Sequence, residues 1–204
     1  MCVFVYVIQV EFHLNRYSRT VDVLSALMRL QYGGDEADLA AALRLVYTEV
    51  FTAANGARTG ESDVAPVAVV FTQNRSVNLT ATVAEAWAAR GAGIGIVVVG
   101  IGSAIDPYEL SAVASYPHEH NTFHVERLIN MTAIRNSLKR IICRGIYLFI
   151  YSFIHSPILT VLQLHATILS NTAVLFAAHT VALNPWYRAT PELWTTFCLC
   201  YKRD

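Results

Sequence analysis

Apolar and polar residues along the chain fall into blocks with distinct periods. Val3 to Val10 is a run of β-branched and aromatic residues without a breaker, which predicts a buried strand. Glu11-Phe12-His13-Leu14-Asn15 alternates, as a half-buried strand does. Val21, Leu24, Leu27 and Met28 recur at helical spacing up to Gly33-Gly34, and Leu39, Ala42, Leu43, Val46 and Val50 share one face of a second helix. Asn55-Gly56 and Thr59-Gly60-Glu61-Ser62 form a polar loop. Val67 to Phe71 and Ile94 to Val99 are short, continuously apolar runs, the pattern of parallel strands covered on both faces. Between them, Thr82-Val83-Ala84-Glu85 has capping-box spacing for a helix that stops at Arg90-Gly91. Asp106-Pro107-Tyr108-Glu109 opens another helix, with an N-cap aspartate and proline at the first helical position. Thr122 to Val125 reads as a short strand, and Leu128, Met131, Ile134, Leu138 and Ile141 mark a last amphipathic helix.

From Pro66 onward strand and helix alternate. That order predicts an α/β fold: a doubly wound, mostly parallel sheet with helices on both faces, as in Rossmann-like proteins. Composition then divides the 204 residues. Residues 1–143 hold 11 Lys/Arg and 13 Asp/Glu, a normal balance for a soluble domain. Between Arg144 and Arg188 there is no Asp, Glu, Lys or Arg. We therefore place a domain at 1–143 and a hydrophobic tail at 144–204.

The ordered series of motifs resembles the von Willebrand factor A domains of matrix and adhesion proteins. Val10 to Asn15 is similar to the family's second and third strands. Tyr32-Gly33-Gly34-Asp35-Glu36-Ala37-Asp38-Leu39-Ala40-Ala41-Ala42-Leu43 resembles its Tyr-x-Gly-Gly-x-Thr-x-Thr-x-x-Ala-Leu segment. Val69-Val70-Phe71-Thr72-Gln73-Asn74-Arg75-Ser76 stands where the family has a strand ending in Thr-Asp-Gly-x-Ser. Gly93 to Gly102, Glu109-Leu110, Ser115-Tyr116-Pro117 and Asn121 to Val125 complete the series, which covers about two-thirds of the chain.

The resemblance implies a divalent cation held by three loops: Asp-x-Ser-x-Ser after strand one, then a threonine, then an aspartate. Magnesium needs such oxygens in near-octahedral array. This chain departs from the pattern at all three loops. No Asp-x-Ser-x-Ser precedes Glu11, Ala37 aligns with the threonine, and Gln73 aligns with the aspartate. The expectation is that no cofactor is bound, Mg²⁺ included. Asp35, Glu36 and Asp38 read as an acidic helix start favoured by the helix dipole rather than as a replacement cation site. The resemblance also places strand one at the sheet centre. Val3 to Val10 is left to serve either there or as strand two, so the sheet is expected to be one strand short.

The tail contains two uncharged stretches, 146–163 and 166–183. As helices of 18 residues they would reach about 27 Å, against roughly 30 Å for a bilayer core. They read either as transmembrane helices tethering the module or as non-native sequence. Arg135, Lys139, Arg140 and Arg144 before the first stretch favour a cytoplasmic flank. The sequons at Asn74, Asn78 and Asn130 matter only outside the cell. The resemblance further implies a disulfide partner for Cys143 upstream of strand one, which is absent here unless Cys2 replaces it.

Enzymatic readings find no support. Gly91-x-Gly93-x-Gly95 and Gly100-x-Gly102 do not fit Gly-x-Gly-x-x-Gly, and close packing or a tight turn explains them better. His118, His120 and His124 with Glu119 lack a further ligand cluster, as do Cys198 and Cys200. Ser103 and Ser115 have no sequence-visible base, and no Gly-x-Ser-x-Gly elbow is present. Zero net charge without a basic patch gives nucleic acid nothing to bind.

The resemblance thus implies a non-enzymatic, extracellular or secreted protein-binding module, with collagen, other matrix components or receptors as partners. The alternatives are a membrane-anchored form and a fragment without function of its own. Ligand-facing loops are expected at the carboxyl ends of the strands, around Asp35, Glu36, Asn74, Arg75, Ser76, Ser103 and Asp106.

Overall fold

The computed structural model describes residues 2–5, 7–29, 38–58, 65–144 and 174–179. Six strands form one sheet: β1 (Cys2–Val5), β2 (Val7–Gln9), β3 (Val67–Thr72), β4 (Gly95–Ile101), β5 (Thr122–Val125) and β6 (Val174–His179). Their spatial order is β2-β1-β6-β3-β4-β5. Among the described residues only β1 and β2 run antiparallel, and the other pairs are parallel. Helices α1 (Thr20–Leu27), α2 (Leu39–Leu45), α3 (Leu79–Gly91), α4 (Pro107–Val113), α5 (His118–Asn121) and α6 (Met131–Arg144) surround it. α2 continues into a wider π-helical turn over Val46–Val50.

The period of two along β3 and β4 divides two cores. Ala68, Val70, Ile96 and Val98 pack with Leu39, Leu43 and Val46 of the α2 segment, Ala86 and Ala89 of α3, and Leu110 of α4. Val67, Val69, Phe71, Val97 and Val99 point the other way, to Leu27 of α1 and Met131, Leu138 and Ile142 of α6. Every residue of β3 and β4 is buried, which is why these strands read as unbroken apolar runs. The doubly wound α/β arrangement is the one expected.

Three details depart from the expectations. The Val3–Val10 run is two strands of a tight antiparallel pair, with Val5 opposite Val7 and Val3 opposite Gln9. Glu11 to Asn15 is not a strand. Phe12 packs against the α1/α6 core and Leu14 against the α2 core, whereas a strand puts residues two apart on the same face. The chain turns there instead, with Arg16 N–H donating to the His13 carbonyl at 3.1 Å. The α3 helix starts four residues ahead of the Thr82 capping box. Asn78 is its N-cap, and its side-chain oxygen accepts from Ala81 N–H at 3.0 Å.

The expected shortfall of one strand is also corrected. β6, from the stretch set apart as a tail, lies inside the sheet between β1 and β3. Within the second proposed span, 166–183, Val174–His179 is a strand, and the rest of that span lies outside the described residues. The first span, 146–163, lies outside the described residues, as do Cys198 and Cys200. Among the described residues no helix is long and apolar enough to cross a membrane.

Candidate site at the carboxyl edge of the sheet

β3 and β4 end side by side, and the loops that leave them form one surface. Thr72, the last residue of β3, is buried, and its hydroxyl donates to the Asn74 carbonyl at 2.8 Å. That bond turns the chain sharply, leaving Gln73 half-buried at the strand end and Asn74 and Arg75 exposed. The β4 loop turns at Gly102, whose φ of 94° is a left-handed conformation that favours glycine. Gly102 N–H donates to the Val125 carbonyl at 2.8 Å, and the Gly102 carbonyl lies 2.8 Å from His124 Nε2. Ser103 is exposed on this loop. Asp106 closes it as N-cap of α4, accepting from Tyr108 N–H at 2.9 Å.

Two contacts join the loops. Arg75 Nη2 lies 3.6 Å from Asp106 Oδ2. Both groups reach water, so this pair orients more than it stabilises. Beneath it, Glu109 is buried in the first turn of α4, and its Oε1 accepts from Ser76 N–H at 2.9 Å. An acid in a first turn reads from sequence as a complement to the helix dipole. Its contact with the neighbouring loop is visible only in three dimensions, and sequence reasoning missed it.

Asn74, Arg75, Ser76, Ser103 and Asp106 are thus brought to one edge, with Gln73 at its base. Asp35, Glu36 and Ala37 lie outside the described residues. Asp38 is the N-cap of α2 and accepts from Ala41 N–H at 3.1 Å. Among the described residues no group of three or more His, Cys, Asp or Glu side chains is placed to hold a metal ion. His118, His120 and His124 are all exposed, the first two on the short helix α5.

Gly100 lies near the end of β4. A Cβ there would meet Ile105 Cδ1 at 2.5 Å and Leu110 Cδ1 at 2.8 Å, so the position serves close packing of strand against loop and helix. Ser115 is buried against β4 with backbone partners, a structural place rather than a nucleophile's.

The family model for the von Willebrand factor type A domain matches residues 2–137. Mouse Matrilin-2 is 33% identical over 141 residues, which is 68% of this chain and 14% of that protein. Mouse Matrilin-4 is 33% identical over 138 residues, 67% of this chain and 21% of that protein. This chain therefore spans less than a quarter of either relative's length. Among solved structures, proximal thread matrix protein 1 from the mussel byssus superposes with a TM-score of 0.57 at 19% identity, covering 64% of this chain and 33% of that one. A form of the same protein described as having a zinc occupied MIDAS motif gives 0.58 at 18% identity, over 64% of this chain and 32% of that one. With most of its length matched by that family model, the chain belongs to the von Willebrand factor type A domain family.

Proposed function

We propose that this chain is a protein-binding module of an extracellular matrix or cell-adhesion protein, and that it binds through the carboxyl edge of its sheet without a bridging metal. Family membership together with the matrilin relatives carries the first part. The partners proposed are collagen, other matrix components or receptors, and the module acts by binding rather than by catalysis.

The donor set at the edge supports the second part. A hard dication needs several anionic or hydroxyl oxygens converging on one point. Gln73 offers a neutral amide oxygen where the family pattern has an aspartate. Asp106 and Glu109 are already engaged, one by Arg75 and the α4 amide, the other by the Ser76 amide. A guanidinium at the same edge opposes a second cation there. These residues do not fit the magnesium site of the family pattern. The exposed polar groups of Asn74, Arg75 and Ser103 are instead suited to direct contact with a partner.

Surface plasmon resonance on immobilised collagen and immobilised matrilin, with Mg²⁺ or with EDTA, tests the reading. Binding to at least one surface, unchanged by EDTA and weakened by Arg75→Glu, is the expected result. Binding abolished by the chelator would overturn the metal-independent part; no binding to either surface would count against these partners.

A further inference from the structure

β1 and β3 do not pair with each other. β6 lies between them, parallel to both. On one side Cys2 is in register with Ala177, Val3 with Ala178 and Phe4 with His179. On the other, Val67 through Phe71 align with Val174 through Ala178. The walls of this gap belong to residues 2–9 on one side and to residues 67–125 on the other, whereas β6 comes from far along the chain.

A strand at this position has demanding requirements. Both of its edges must pair, because an unpaired N–H or C=O inside a sheet is costly. Its neighbour β3 is buried on both faces, so a companion strand has to be free of charge. Val174-Leu175-Phe176-Ala177-Ala178-His179 meets that demand: it has no Asp, Glu, Lys or Arg and no proline or glycine. The same absence of charge marked the stretch as a membrane span when read as sequence alone.

We infer that the gap between β1 and β3 is a strand-binding site, filled by the chain's own residues 174–179. The ligand class is an uncharged, apolar, extended segment of about one strand's length that runs parallel to both walls. A tethered segment competes at an effective concentration on the order of millimolar. The chain's own strand therefore excludes a free one of the same sequence at micromolar concentration. Once the internal strand is disabled, the same peptide added free should take its place.

The test uses the full chain carrying Ala177→Pro. Proline has no N–H to give the ladder and is excluded from central strands. A labelled peptide of native sequence from Thr172 to Thr180 is then titrated into the unmutated chain and the variant. The expected result is binding to the variant at least about ten-fold tighter than to the unmutated chain, with recovery of the unmutated chain's thermal transition. A peptide carrying the same proline should neither bind nor rescue. Two outcomes overturn the inference: a variant that keeps the native transition without binding peptide, and one that unfolds and is not rescued.

A second measurement does not depend on peptide rescue. With Cys143, Cys198 and Cys200 replaced by serine, Ala177→Cys places a thiol in register with Cys2. Paired strands lie about 4.8 Å apart, within the range a disulfide spans. Oxidation should give an intrachain cross-link and a monomeric band on a non-reducing gel. Absence of cross-linking, or covalent dimers alone, would contradict the placement of β6.

Discussion

Ser115 and Ile96 exchange two hydrogen bonds. Ser115 N–H donates to the Ile96 carbonyl at 2.8 Å, and Ile96 N–H donates to Ser115 Oγ at 2.8 Å. β5 pairs with β4 only from Val98 onward, so among the described residues the start of β4 has no strand on that side. Ser115 supplies one acceptor from its side chain and one donor from its backbone, imitating a strand for a single residue. Both residues are buried, so water cannot substitute. Ser115→Ala should destabilise the fold by about 1–3 kcal/mol, the usual cost of a buried amide left unpaired. Urea unfolding measures this; a change under about 0.5 kcal/mol, the scatter of ordinary surface substitutions, would refute the role.

Arg90 ties α3 to the end of α4. Its Nη1 donates to the carbonyls of Ala112, Val113 and Ala114 at 3.2, 2.6 and 3.0 Å. These are last-turn carbonyls that have no partner within their own helix. Burial lowers the Arg90 pKa, yet arginine stays charged at any ordinary pH. Trp87 covers the guanidinium from outside at 5.3 Å, which accounts for an indole that is 68% exposed. Arg90→Met keeps the stem but removes the donors and should cost about 2 kcal/mol. Trp87→Ala should cost less, about 0.5–1 kcal/mol, because an exposed cation–π contact is weak. Thermal unfolding of the two variants checks the order.

Glu85 fastens α3 to α2 and gives the fold a pH dependence. Arg44 donates to its Oε1 from both Nε and Nη2, and the Tyr47 hydroxyl donates to Oε2 at 2.6 Å. The Arg44 hydrogen bond first, and the Tyr47 one second, hold the Glu85 carboxyl below the ordinary range. A lowered carboxylate pKa adds stability that is complete above the unfolded value of about 4.3 and is lost as pH falls through the folded value. The same contact raises the Tyr47 pKa, chiefly through its hydrogen bond to Glu85. Its share is complete below the unfolded value of about 10 and is lost as pH rises through the folded one. Glu85→Gln should therefore flatten the acid limb of a stability–pH profile. Because the Arg44 side chain is 65% exposed, salt should shrink the difference. An unchanged acid limb in the variant would rule this out.

Glu109 and Gly102 set the loops of the carboxyl edge. Glu109→Ala removes the acceptor for Ser76 N–H, and that amide should then exchange with solvent at least about ten-fold faster, the factor for 1.4 kcal/mol of lost protection. At Gly102 there is space for a methyl group, but its φ of 94° opposes a side chain, so Gly102→Ala should cost about 1–2 kcal/mol through the backbone alone. At Gly100 the backbone is ordinary and Gly100→Ala strains packing instead, at about 1–3 kcal/mol unless Ile105 and Leu110 shift. Hydrogen exchange and chemical unfolding separate the three effects.

Much of the fold is written locally. The apolar runs of β3 and β4 are unbroken because both faces are covered, and Asp106-Pro107 starts α4 because an N-cap acceptor and a preset φ are properties of those residues themselves. The order of elements from Pro66 onward was enough for the parallel sheet, and the motif series for the family. The hydrophobic pattern could not say which partner each apolar residue meets. Phe12 and Leu14 look like one strand face but enter opposite cores, and Ser115 looks like any polar loop residue until Ile96 stands beside it. The clearest case is Val174–His179. An uncharged apolar stretch is equally suited to a lipid and to the middle of a sheet, since both exclude water. Periodicity and hydrophobicity are carried by the residues alone, but a strand's place between β1 and β3 depends on hydrogen-bonding edges far away in the chain, and only the tertiary structure brings those edges together.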